Sequence, residues 1–165
     1  MTQTSTARTD SPSAAHADAI ARFLGDRAPR RDALLPLLHA LQAEFGHIDE
    51  AMIAPVAAAL NLSRADVHGV VTFYHDFRRT PAGRHVIRLC RAESCQARGG
   101  AAIERHATGR LGLGMGETSA DGRVTIEPVY CLGLCASGPN ALVDGRPVSR
   151  LDAAKIERIA TEWLA

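Results

Sequence analysis

Apolar residues recur at three- and four-residue intervals through the first half of the chain and at two-residue intervals in parts of the second. The stretch "AHADAIARFLGD" carries Ile20, Phe23 and Leu24 on one side and ends at Gly25, which predicts a short helix from Ala15 with a glycine stop. "RDALLPLLHALQAEFGHID" places Leu34, Leu35, Leu38, Leu41, Gln42 and Phe45 on one helical face, with Asp32 as the N-cap, Pro36 in the first turn and Gly46 ending the helix. "DEAMIAPVAAALNL" repeats the theme through Met52, Ile53, Val56 and Leu60, and Ser63 with Asp66 predicts a variant capping box that opens a fourth helix. Residues 15–80 are therefore expected to form a helical bundle. Residues 1–14, rich in Ser, Thr and Ala and without an apolar period, are expected to be a disordered tail.

Past "RRTPAG" the period changes. "RHVIRLC" alternates as a strand, "GGAAIERHATGRLG" reads as a helix of about three turns closed by glycine, and "DGRVTIEPVYC" alternates again. In "NALVDGRPVSRL", Asp144 and Gly145 separate two short apolar stretches, a hairpin signal, and "DAAKIERIATEWLA" is amphipathic through Ile156, Ile159, Trp163 and Leu164, with Asp152 as its cap. Strand, helix, strand, hairpin and helix in this order predict an α/β domain over residues 81–165, with one parallel crossover and a thioredoxin-like layout.

Composition narrows the function classes. A chain of 165 residues can bury a real core without disulfide staples, and its apolar runs fall far short of the roughly 20 residues a membrane span requires. The net charge of +1 is spread along the chain, so no basic stripe offers itself to nucleic acid. The opening "MTQTSTARTDSPSAAHAD" has no apolar core after a basic start, so a cytoplasmic location is expected, and there clustered cysteines are metal ligands or redox centres more often than disulfides. No G-x-G-x-x-G follows a strand, and "GRLGLGMGE" lacks both that spacing and a P-loop lysine, so it is read as a loop.

The four cysteines stand in two tight pairs, Cys90 and Cys95 in "CRAESC" and Cys131 and Cys135 in "CLGLC". Cys90 is expected at the end of the first strand with Cys95 in the following loop, and Cys131 at the end of the second strand with Cys135 in the loop before the hairpin. Neighbouring strand ends would then gather four thiolates at one edge of the domain. Structural zinc usually draws on C-x2-C knuckles, whereas longer intervals in glycine-rich loops suit a sulfide-bridged two-iron unit. No histidine lies within either pair, against a Rieske centre, and the four-residue interval argues against a C-x-x-C dithiol. An iron-sulfur cluster fits the spacing best; a structural zinc, redox disulfides and unpaired buried thiols remain open. Gly99, Gly100, Gly133 and Gly138 flank the pairs, where backbone amides could approach cluster sulfurs.

In order along the chain, "LLPLLHALQAEFGHID", "VHGVVTFYHDF", "CRAESC" followed by "QARGG", and "VYCLGLCASGPNALVDG" resemble the thioredoxin-like [2Fe-2S] ferredoxin family, the 24 kDa subunit type of NADH dehydrogenase with its relatives in NAD-linked formate dehydrogenases and hydrogenases. The resemblance implies one [2Fe-2S] cluster held by Cys90, Cys95, Cys131 and Cys135, and an electron-transfer role with no catalysis by the chain alone. It further implies a partner subunit carrying flavin and the NAD site. "CRAESCQARGG" and "CLGLC" are more similar to the gamma subunit of soluble NAD-dependent molybdenum formate dehydrogenase than to the respiratory subunit, which implies a large molybdenum-cofactor partner as well. The alternatives are the equivalent subunit of NADH:quinone oxidoreductase or of a hydrogenase and, more remotely, a zinc-stabilised adaptor. Val67, Val70, Val71, Phe73, Tyr74 and Phe77 surround much of one helix, which serves either the bundle core or a docking face for the flavin subunit.

Overall fold

The computed structural model describes residues 14–26 and 30–164; the expectation of a tail over residues 1–14 lies outside them except at Ala14. The chain divides into two compact units, residues 1–81 and 82–165.

In the first unit α1 (Ala14–Leu24), α2 (Leu34–Phe45), α3 (Glu50–Leu60) and α4 (Arg64–Phe73) enclose one apolar core. Gly25 and Gly46 end α1 and α2 in the left-handed region, their amides donating to Ala21 and Gln42. The start of α2 departs from expectation. A 3-10 turn, Arg31–Ala33, precedes it, and Asp32 accepts from the Arg30 guanidinium instead of capping the helix. With α2 beginning at Leu34, its buried face is Leu34, Leu37, Leu38 and Leu41; Leu37 is fully buried and Leu35 is 37% exposed. Gln42 closes the bundle by its polar end, its side chain donating to the Asp76 carbonyl at 2.7 Å and accepting from the Arg78 amide at 2.7 Å. Asp49 caps α3, and Ser63 and Asp66 form the complete capping box of α4.

α4 ends at Phe73 with Tyr74 as its C-cap, so Tyr74 and Phe77, expected on the same helix, follow it instead, and the apolar residues of this stretch serve two surroundings. Val67 and Val71 are buried with Phe77, whereas Phe73 is 72% exposed and stacks edge-on against the partly exposed Tyr74.

The second unit is a four-stranded sheet of order β2-β1-β3-β4, formed by β1 (His85–Cys90), β2 (Val124–Val129), β3 (Ala141–Val143) and β4 (Arg146–Val148). β1 pairs in parallel with β2, from His85 opposite Val124 to Cys90 opposite Val129, and antiparallel with β3. Asp144 and Gly145, with φ of 48° and 77°, make the tight primed turn that the Asp-Gly pair demands. The parallel crossover runs through α5 (Glu93–Ala97) and α6 (Gly100–Leu111), and α7 (Ala153–Leu164) follows the hairpin with Asp152 accepting from the Lys155 amide. Ile87, Val124, Ile126, Ala107, Ile156 and Trp163 belong to its core. Each outer strand carries a proline, Pro128 in β2 and Pro147 in β4. Of "GRLGLGMGE", read from its spacing as a loop, Gly109, Arg110 and Leu111 instead form the end of α6, and only residues 112–117 are a loop, with the Glu117 carboxylate turned back to accept from the Gly114 amide. Among the described residues no helix is long and apolar enough to cross a membrane.

Candidate metal centre

The parallel pairing sets the chemistry of one end of the second unit. Because Cys90 lies opposite Val129 at the last step of the ladder, both chains leave the sheet at the same edge. Two placements differ from those expected. Cys95 lies on α5, a helix of five residues, rather than in a loop; Cys131 lies two residues beyond the end of β2, with a φ of 72°. Cys135 opens a 3-10 turn, Cys135–Ser137, ahead of the hairpin.

All four thiols are free and they fall into an inner and an outer pair. Cys90 and Cys95 are 5% and 1% exposed, whereas Cys131 and Cys135 reach the surface with their sulfurs 3.7 Å apart. Tyr130, beside Cys131, is 67% exposed.

Burial acts to raise the pKa of Cys90, but the amide of Ala92, the Cys95 thiol and the amides of Cys131 and Leu132 donate to its sulfur and bring the net value below that of an ordinary thiol. Burial pushes Cys95 up, and its bond to Cys90 adds to this against two opposing donors on Asn140. Cys135 is raised chiefly by its hydrogen bond with Cys131, next by the charge there, and also by the charge of Cys90. The sulfurs therefore resist becoming thiolates together, and a cationic centre among them removes that resistance.

Three of the four flanking glycines lie directly against the cysteine pairs. Gly133, at a φ of 75°, turns its amide onto the Cys131 sulfur at 3.4 Å. A Cβ at Gly100 would lie 2.7 Å from the Cys95 carbonyl oxygen, and one at Gly138 would lie 3.3 Å from the Cys95 sulfur. Gly99 precedes α6 with a φ of 92° and its amide donates to the Gln96 carbonyl, so it serves the helix junction.

The residues fit a two-iron cluster. The thiols stand as two pairs with amides aimed at two of the sulfurs, and a sulfide-bridged two-iron unit is held by four such thiolates. One participant carried no sequence signal of its own. Asn140 is buried at the start of the hairpin, with its side-chain nitrogen 3.6 Å from the Cys95 sulfur.

The family described as thioredoxin-like [2Fe-2S] ferredoxin matches residues 20–164. The NADH-quinone oxidoreductase of Escherichia coli K12 has a component, designated E, that is 36% identical to this chain over 132 residues, 80% of each chain. Its counterpart of the same designation in Pseudomonas aeruginosa is 37% identical over 114 residues, 69% of each chain. That of Salmonella typhimurium is 35% identical over 151 residues, 92% of this chain and 91% of its own. Among solved structures, the NAD+-reducing [NiFe]-hydrogenase in its air-oxidized state superposes with a TM-score of 0.68 at 29% identity, over 85% of this chain and 26% of that one. The H2-reduced state gives 0.69 at 28% identity, over 84% and 25%. The chain thus spans about a quarter of the hydrogenase chains it resembles. With the family extending from α1 through α7, this chain belongs to the thioredoxin-like [2Fe-2S] ferredoxins, and its cofactor is one [2Fe-2S] cluster.

Proposed function

We propose that this chain is the one-electron carrier of an NAD-linked oxidoreductase complex, with Cys90, Cys95, Cys131 and Cys135 as the ligands of its cluster. The observation that carries this reading is the division of the thiols into a buried inner pair and a surface outer pair beside an exposed tyrosine. When bound, the cluster supplies single-electron transfer, which a flavin needs in order to split the two electrons of a hydride. The chain's own residues keep water from the Cys90 and Cys95 sulfurs, aim the Ala92, Cys131 and Leu132 amides at Cys90, and leave Cys131 and Cys135 where a partner can approach. The partner is a subunit carrying flavin and NAD, and the exposed Phe73 and Tyr74 supply a docking face for it. A cytoplasmic site of action accords with cysteines that serve as metal ligands rather than as disulfides.

The parent complex we favour is the soluble molybdenum formate dehydrogenase, which converts formate and NAD+ into carbon dioxide and NADH, with a large molybdenum-cofactor subunit as the second partner. "CRAESCQARGG" and "CLGLC" support it. The second reading, a respiratory NADH-quinone oxidoreductase, has the support of relatives named for that complex. Isolation of the chain with its native partners, without oxygen, separates the two. Formate-dependent NAD+ reduction by the isolated complex is the expected result. NADH oxidation coupled to quinone, with no formate activity, would replace the first assignment by the second. Iron and acid-labile sulfide, with an electron paramagnetic resonance signal after dithionite, are expected in either case; zinc in their place would make the chain a structural adaptor.

A further inference from the structure

We propose that Asn140 is a positioning residue of the metal centre, whose side-chain amide ties the two cysteine pairs together and raises the reduction potential of the cluster by donating to Cys95. The inference rests on the ligand assignment above.

With Thr125, Asn140 is one of two buried polar side chains among the described residues, and it is 2% exposed. Its Nδ2 donates to the Leu134 carbonyl at 2.8 Å and to the Cys95 sulfur at 3.6 Å, a longer contact that suits the larger radius of sulfur. An amide nitrogen has two hydrogens, and both have acceptors. The Asn140 carbonyl accepts from the Cys90 amide at 3.0 Å. One residue therefore contacts the ends that carry Cys90 and Cys95 and the loop that carries Cys131 and Cys135.

The orientation of the side-chain amide is determined by its surroundings, since reversing it would set its oxygen against the Leu134 carbonyl. In the orientation found, Oδ1 is buried without a hydrogen-bond partner. An unpaired buried acceptor is destabilising, and an apolar side chain of similar size would avoid that cost. Packing is thus a poor account of an asparagine here, whereas its two N–H donors both act on the ligand loops. Reduction adds negative charge to the sulfurs, and a donor to a ligand sulfur stabilises the reduced state more than the oxidised one. The effect is large at Cys95 because little water screens it.

The test compares the full chain, carrying its cluster, with Asn140→Leu and Asn140→Asp. Iron and sulfide content are measured first, then the midpoint potential by a titration followed by electron paramagnetic resonance. At full iron content, Asn140→Leu is expected to lower the ratio of reduced to oxidised cluster about tenfold at fixed potential, ~59 mV for a one-electron couple. Asn140→Asp, of the same shape but with a charged acceptor in place of the donor, is expected to fall further. Pulsed resonance on wild type labelled with 15N only at the asparagine side-chain amide is expected to show a nitrogen coupling that the leucine variant lacks. Unchanged midpoints at full iron content would overturn the inference and leave the ligand assignment standing. If the leucine variant fails to assemble, the aspartate variant decides: a midpoint equal to wild type overturns the proposal. A wild-type chain without iron or sulfide overturns both.

Discussion

His85 Nδ1 and Asp144 Oδ2 lie 2.9 Å apart, while the other oxygen of the same carboxylate accepts from the Val86 amide at 2.8 Å. One side chain in the β3–β4 turn thereby secures the start of β1, and the imidazole it holds stacks on Trp163 at 4.9 Å. Asp144→Ala removes both bonds and leaves an alanine at a φ of 48°. A loss of roughly 1–2 kcal/mol in urea denaturation is expected. Asp144→Asn, which tolerates that backbone and can still accept from Val86, should lose less.

The two glycines against Cys95 differ in what they face. At Gly100 an added Cβ meets backbone at 2.7 Å, so Gly100→Ala must push α5 and α6 apart and should sharply reduce cluster content. At Gly138 the nearest atom is the Cys95 sulfur at 3.3 Å, and Gly138→Ala is expected to retain more iron with an altered visible spectrum. Equal iron content in the two variants would contradict this ordering.

Ser63 and Asp66 make the start of α4 dependent on pH. The Ser63 hydroxyl, and after it the Ser63 amide, hold the Asp66 carboxyl below its ordinary value of 3.8. The ionised carboxylate therefore favours the folded state, a contribution complete above about 3.8 and lost as pH falls through the lower folded value. Ser63→Ala should cost about 1 kcal/mol at neutral pH. The gap from wild type should narrow below pH 3.8, where the helical circular dichroism signal in urea would be followed.

Serine at any one of Cys90, Cys95, Cys131 or Cys135 is expected to abolish or severely deplete the cluster, because in the proposed ligand set each supplies one ligand of the same centre. Cys131→Ser should be as damaging as Cys90→Ser, read from iron content and visible absorbance. A thiol-disulfide function would instead leave the Cys131 and Cys135 pair competent after Cys90→Ser.

Phe73 is exposed beyond the buried side of α4. Phe73→Ser is expected to leave the urea midpoint within about 0.5 kcal/mol of wild type, since surface changes away from core and caps cost little. Co-purification of the proposed flavin subunit should fall markedly. Undiminished recovery would remove this residue from the docking face.

Elements whose signals are local could be read from the chain. Asp144-Gly145 determines its own turn, Ser63 and Asp66 their own cap, and Gly46 and Gly112 the ends of α2 and α6 by their left-handed backbone. Less legible were features that depend on where an element starts. Asp32 lies within a 3-10 turn and bonds to Arg30, and the resulting register buries Leu37 in place of Leu35. α5 is too short to show a period, so Cys95 could be paired with Cys90 by spacing but not assigned to a helix. Gln42 and Asn140 carried no signal at all in these roles, because their partners at Asp76, Arg78, Cys95 and Leu134 are brought to them by tertiary structure.

Pro128 and Pro147 stand on the two outer strands, and each removes an amide from the ladder an incoming strand would need. Lateral growth of this sheet into a neighbouring chain is blocked at both borders. Association with another chain is thereby left to side chains and loop ends, without the risk of polymerising through the backbone.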